Sequence, residues 1–178
     1  FFPEFESDDF LEEVVLTTAA SSVTFSGLGT YATAGYKHLQ LRMVLRSDYA
    51  GGGDFLTLKI NSDTGSNYAQ HNLRADGSSV FSEASTSRTN LSFFLTGNTA
   101  TTSAFHAYIM DILDFSSTSK NSTIRTLNGR ADSTNAIDLR SGLYNNTAAV
   151  TSLTFDTSAG FNGDFIAGSR LSLYGSKA

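Results

Sequence analysis

The chain has no cysteine, no tryptophan and a single proline in 178 residues. Without thiols, neither a disulfide nor a thiolate metal site can brace the fold, so stability must come from a packed core and from assembly. Basic residues are also scarce. Twelve Lys and Arg stand against 17 Asp and Glu, the net charge is −5, and the cations are scattered. Phosphate neutralisation needs clustered Lys and Arg, so nucleic acid is not the expected partner. No apolar run approaches the roughly 18 residues that read as a membrane-spanning helix, and no membrane insertion is expected.

What is present points to β structure. Apolar residues make up 40% and charged residues 16% of the chain, a globular balance at a length suited to one domain. Ser and Thr together form about a quarter of it, alongside 15 Gly, 14 Phe and 7 Tyr. Aromatic and β-branched residues fit a pleated, half-buried surface, and Ser, Gly and Asn serve turns.

Twelve short strand candidates recur, each closed by turn chemistry. They are Val14–Thr17, Ser22–Ser26, Tyr36–Arg46, Phe55–Ile60, Tyr68–Arg74, Ser79–Ser82, Asn90–Thr96, Ala104–Phe115, Thr123–Arg130, Ile137–Tyr144, Val150–Phe155 and Phe165–Tyr174. This spacing predicts an all-β chain forming a single antiparallel β-sandwich of jelly-roll type over residues 14–178. The apolar run Phe105–Phe115 reads as a strand buried on both faces. Ahead of the sandwich, Phe1–Glu13 is acidic yet carries Phe1, Phe2, Phe5 and Phe10. It reads as an arm whose aromatics dock on a neighbouring subunit or anchoring protein. A start at Phe1 rather than Met is expected to reflect processing or a longer parent polypeptide.

No constellation has the makings of a catalytic centre. Asp63-Thr64-Gly65-Ser66 matches the aspartic-protease tetrapeptide, but that chemistry needs two carboxylates sharing a proton, and the motif occurs once, after polar Asn61-Ser62. It reads as a hairpin turn with Gly65 supplying a positive φ. Asn61, Asp63, Gly65 and Asn67 alternate faintly like a calcium loop, but with one carboxylate; a structural Ca²⁺ near Asp63 is not the expected reading, and no cofactor is expected. His38, His71 and His106 are far apart and lack an acidic co-ligand at a suggestive spacing. Asp111 and Asp114 suit a strand end better than a glycosidase pair. The sequons at Asn90, Asn121 and Asn145 are matched by chance in so Ser/Thr-rich a chain. The seven tyrosines read as core or edge residues before sugar-stacking ones.

An ordered set of motifs remains. It runs from Val15-Leu16 and Ser22–Ser26 through Tyr36–Arg42, Asn61–Ala69 and Gly77–Val80 to Met110–Phe115, Arg140–Leu143, Ala148–Leu153 and Leu173–Gly175. In this order the chain resembles small β-rich virion structural or tail-fibre proteins of tailed bacteriophages, over residues 14–175. The segment Phe1–Glu13 lies outside that pattern, and Glu83–Thr102 departs from it freely. The resemblance implies a non-enzymatic particle component located in the virion. It would be a fibre or tip module, associated as a homo-oligomer (a trimer) with other virion proteins, and contacting a host-surface polysaccharide or protein. Polarity and turn content, rather than the resemblance, give the expected contact loops Asp48–Asp54, Glu83–Asn90 and Asp132–Asn135, with Tyr49, Asp54, Arg88, Asn90, Asp132 and Asn135 as contact residues. A capsid decoration protein that clamps shell subunits through the arm is the alternative in that setting. Outside it stand a carbohydrate-binding module and a subunit of an extracellular filament.

Overall fold

The computed structural model describes residues 8–130, 136–157 and 160–177. Phe1, Phe2, Phe5, Asp132 and Asn135 lie outside that range. Among the described residues twelve strands form two antiparallel sheets. They are β1 (Asp9–Val15), β2 (Ser22–Ser26), β3 (His38–Leu45), β4 (Gly53–Ile60), β5 (Tyr68–Ala75) and β6 (Val80–Arg88), then β7 (Leu91–Thr96), β8 (His106–Leu113), β9 (Ser122–Arg130), β10 (Ala136–Tyr144), β11 (Ser152–Asp156) and β12 (Arg170–Ser176). The larger sheet runs β1-β12-β3-β8-β9-β10-β5-β6 and the smaller β2-β11-β4-β7. The molecule is an antiparallel β-sandwich of jelly-roll type, and each of the twelve expected strands overlaps an observed one.

Period-two alternation drives the packing. On β3, Leu39, Leu41, Met43 and Leu45 are buried, while His38, Gln40, Arg42 and Val44 face outward. They meet Phe25, Leu56, Leu58, Leu91, Phe93, Leu153 and Phe155 of the smaller sheet in one core. A short helix α1 (Gly29–Thr33), not foreseen in the sequence, closes one end and packs Tyr31 and Ala32 on that core.

Three expectations change. The acidic segment enters the sheet: Asp9–Glu13 belongs to β1, paired with β12, and Phe10 packs edge-on against Tyr174 with centroids 5.7 Å apart. Backbone pairing with the last strand holds it, so the described part of the expected arm is a sheet edge. Glu83–Asn90 is not a loop, because β6 continues to Arg88. Finally, β8 is buried on one face only: His106, Tyr108, Met110 and Ile112 point inward, and Ala107 and Ile109 are exposed. Among the described residues no strand or helix covers the outer face of the larger sheet.

The unequal strand numbers create an open concavity. Eight strands lie over four, so β5 and β6 project past β7, the last strand of the smaller sheet.

Candidate functional site

The inner face of the larger sheet changes character along each cross-strand row. One row reads Met43, Tyr108, Asn128, Asp138, Arg74, Phe81, and the next Leu41, Met110, Thr126, Arg140, Asn72, Glu83. Apolar residues occupy the part roofed by the smaller sheet, and polar ones the part that projects beyond it. The projecting part forms an open groove of about 780 Å³ along β5, β6 and the flank of β7.

Arg140 marks the boundary. Its guanidinium is buried, binds Asp138 Oδ2 through Nε (3.1 Å) and Nη2, and donates through Nη1 to the carbonyl of Ser92. Gln70 Oε1 accepts the Ser92 amide at 3.0 Å, and the Tyr108 hydroxyl donates to the Phe94 carbonyl. The free edge of β7 is thus closed by side chains of the larger sheet, which leaves no bare ladder for another strand to join. Burial holds the Tyr108 hydroxyl protonated far above the usual phenol range, so it remains a donor at any ordinary pH.

A bulge supplies the next cation. Tyr68 lies opposite Arg88 but Gln70 opposite Ser85, and Ser87 takes a positive φ of 55°. The extra residue turns Arg88 inward, where it donates to Ser92 Oγ at 2.9 Å and to the Asn90 carbonyl at 3.3 Å. Desolvation first, and the charge of Arg140 second, push its pKa below the ordinary guanidinium value. Arg74 lies 4.4 Å over the Phe94 ring and 5.5 Å from that of Phe81, and its buried Nε makes no hydrogen bond. With Asn72, Glu83, Ser85 and the half-exposed Phe81, the groove offers amides, hydroxyls, two arginines not taken up by a carboxylate contact, and an aromatic face.

The expected contact residues divide. Arg88 lines this groove. Asp54 does not contact the exterior: it is fully buried, and its Oδ1 accepts the amides of Phe55 (2.8 Å) and Phe161 (3.0 Å), anchoring the Phe161 loop to the start of β4. Tyr49 does not line the groove: it stacks on Phe161 at 4.6 Å, and Phe161 in turn packs on Phe55 at 6.1 Å. Asn90 is buried beside β7 and presents its carbonyl to Arg88. Sequence reasoning missed Gln70, Asn72, Arg74, Phe81 and Arg140. The available signal was polar residues at inward positions of two strands that are otherwise regular.

The turn after β4 also differs. Positive φ angles fall at Asn61 (54°) and Ser62 (55°) rather than at Gly65. A Cβ at Gly65 would lie 2.9 Å from Asn67 Nδ2 and 3.0 Å from Asp63 Oδ1, so a larger residue there would have to displace these two side chains. Asp63 accepts from Gly65 N (2.7 Å), Asn67 Nδ2 (2.8 Å) and the Tyr144 hydroxyl (3.0 Å). These bonds, that of Asn67 foremost, hold its pKa below the usual carboxylate value. Its oxygens face N–H and O–H donors, an arrangement that repels a cation rather than ligating one.

Asp111 is bound by Arg125 (2.8 Å) and Gln40 (2.9 Å), and Asp114 by Lys120 (2.8 Å), so the two act separately. His106 contacts Asn128 at 2.9 Å, His38 accepts the Asp114 amide, and His71 is exposed on the opposite face. Among the described residues no group of three or more such side chains is placed to hold a metal ion.

These features define a β-sandwich carrying a polar, aromatic-lined groove beside a sealed sheet edge. No family model matches the chain, and no curated protein does. Among solved structures, the crystal structure of the galectin LEC-6 from Caenorhabditis elegans aligns at 10% identity over 93% of this chain and 96% of that one, with a TM-score of 0.29.

Proposed function

We propose that this protein is a non-enzymatic recognition module of a virion, a fibre or tip component whose groove between β7 and β5–β6 takes an acidic surface polysaccharide. The groove is the observation that carries this reading. Asp138 neutralises Arg140, and Glu83 is the one acid among the lining residues beside Arg74 and Arg88, a balance that favours carboxylate or sulfate groups on the ligand. Amide and hydroxyl groups of Asn72 and Ser85 suit sugar hydroxyls, and Phe81 offers a ring face to pyranose C–H groups. An extended open groove fits a chain ligand better than a compact metabolite. The particle setting rests on the resemblance of the ordered motifs to those of phage virion proteins.

Binding is tested by calorimetry with an oligogalacturonate and a neutral dextran oligomer as probes. Salt-sensitive binding of the acidic probe, lost in Arg74→Gln and Phe81→Ala without a change in fold, supports the assignment. Equal binding by the variants, or none by the wild type, overturns the groove. The setting is tested separately by peptide mass spectrometry of purified particles: a few to a few dozen copies fit a fibre or tip, and absence rejects it.

A further inference from the structure

The outer face of the larger sheet carries a second surface. Ile109, Leu127, Leu139 and Leu73 are direct cross-strand partners on four adjacent strands, each between 47% and 51% exposed. Beside that row run Val44, Ala107, Gly129, Ile137, Ala75 and Val80, with Ile137 and Val80 still more exposed. No charged residue interrupts either stretch, and Arg42, the partner of Ile109 on β3, borders the first. A depression of about 440 Å³ opens over Gly129, bordered by Ala107, Ile109, Leu127 and Ile137. Two contiguous apolar rows, one across four strands and one across six, exceed the scattered aliphatics of an ordinary surface and mark an interface.

We infer that this face binds a second copy of the chain about a two-fold axis lying between β9 and β10 and parallel to them. The pattern is self-complementary under that operation. β9 and β10 are the middle pair of the six strands β3-β8-β9-β10-β5-β6, so the axis reverses each row onto itself. Ile109 then meets Leu73 of the partner subunit, and Leu127 meets Leu139 of the partner subunit. Ile137 enters the partner's depression over Gly129, a large side chain set against a position with none. Val44 meets Val80 of the partner subunit.

Charge selects this axis over the other in-plane two-fold. The polar row next to the leucines reads Asp111, Arg125, Ser141, His71. Reversed on itself, it sets Asp111 over His71 of the partner subunit and Arg125 over Ser141 of the partner subunit, bringing no like charges together. An axis along the leucine row would instead press Asp111 and Arg125 onto Ala107 and Gly129, desolvating the ion pair against apolar surface. With Leu113, Thr123, Leu143 and Ala69 as the fourth outward row, six strands at about 4.8 Å and four rows at about 6.8 Å give roughly 24 by 20 Å between outermost Cα atoms. Bordering side chains bring that to the order of the ~800 Å² per partner of a specific interface. Aligned sheets rotate by about 30°, so the match is tightest at β9 and β10.

Sedimentation velocity over a concentration series tests the association, using the whole chain and Leu139→Lys. Leu139 is half exposed, so the variant keeps its fold by circular dichroism. The expected result is a wild-type dimer and a variant weakened at least tenfold in self-association. Because the chain lacks cysteine, introduced thiols report geometry without interference. Ile109→Cys mixed with Leu73→Cys should cross-link through a short bis-maleimide, and neither should cross-link alone. A wild-type monomer through the micromolar range, a trimer, a dimer indifferent to Leu139→Lys, or self-cross-linking of Ile109→Cys alone overturns the inference.

Discussion

The side-chain oxygen of Gln70 accepts the backbone amide of Ser92 at 3.0 Å, joining the larger sheet to the free edge of the smaller one. Replacing Gln70 with Ala leaves a part-buried amide without its acceptor and should cost about 1–2 kcal/mol in urea unfolding. Gln70→Glu keeps an acceptor and should cost less. Equal losses in the two variants would reject the acceptor role.

Arg140 and Asp138 are both buried, and Arg140 also holds the Ser92 carbonyl. Arg140→Ala strands a carboxylate in the interior, and breaking such a pair costs about 3–5 kcal/mol. Arg140→Ala combined with Asp138→Ala should be less destabilising than Arg140→Ala alone, because the orphaned charge is gone. A strictly additive double variant would sink this account.

Asp63 makes stability depend on acid. Its folded pKa lies below that of the unfolded chain, near ~4, so its contribution is present above that value and is lost as pH falls through the folded one. Asp76 and Asp114 are shifted the same way and share the slope. Denaturation midpoints measured from pH 5 downward should fall less steeply in Asp63→Asn than in the wild type. Parallel curves would contradict the assignment.

Arg46 is buried and donates to four carbonyls, those of Asn98, Ala100, Thr101 and Ala104, at 2.8 to 3.3 Å. Arg46→Ala removes all four donors from a loop that has few other internal bonds. The expected loss is about 3 kcal/mol or more, with amide exchange across 98–104 accelerating first. Exchange unchanged in that loop would argue that its own turns hold it.

Much of the fold was legible because its period is local. The alternation of Leu39, Leu41, Met43 and Leu45 announces a half-buried strand whatever lies across from it. Phe105–Phe115 misled because its outward residues, Ala107 and Ile109, are themselves apolar, so composition alone suggested burial on both faces. Glu83–Arg88 misled in the opposite sense: an exposed edge strand made of Ser, Thr, Ala and Glu has the composition of a loop. Asp54 looked like a loop contact because its neighbours are glycines, yet its partners Phe55 and Phe161 bury it.

The amino-acid sequence by itself determined that this protein is all-β, since alternation and turn chemistry act over a few residues. Tertiary structure alone decided where its surfaces are. Register set Arg140 beside Asn72, and Ile109 in line with Leu127, Leu139 and Leu73, across separations no local pattern encodes. The pairing of eight strands against four then left β5 and β6 projecting beyond the core. Identical inward positions became packed interior under the smaller sheet and an open polar groove past its edge.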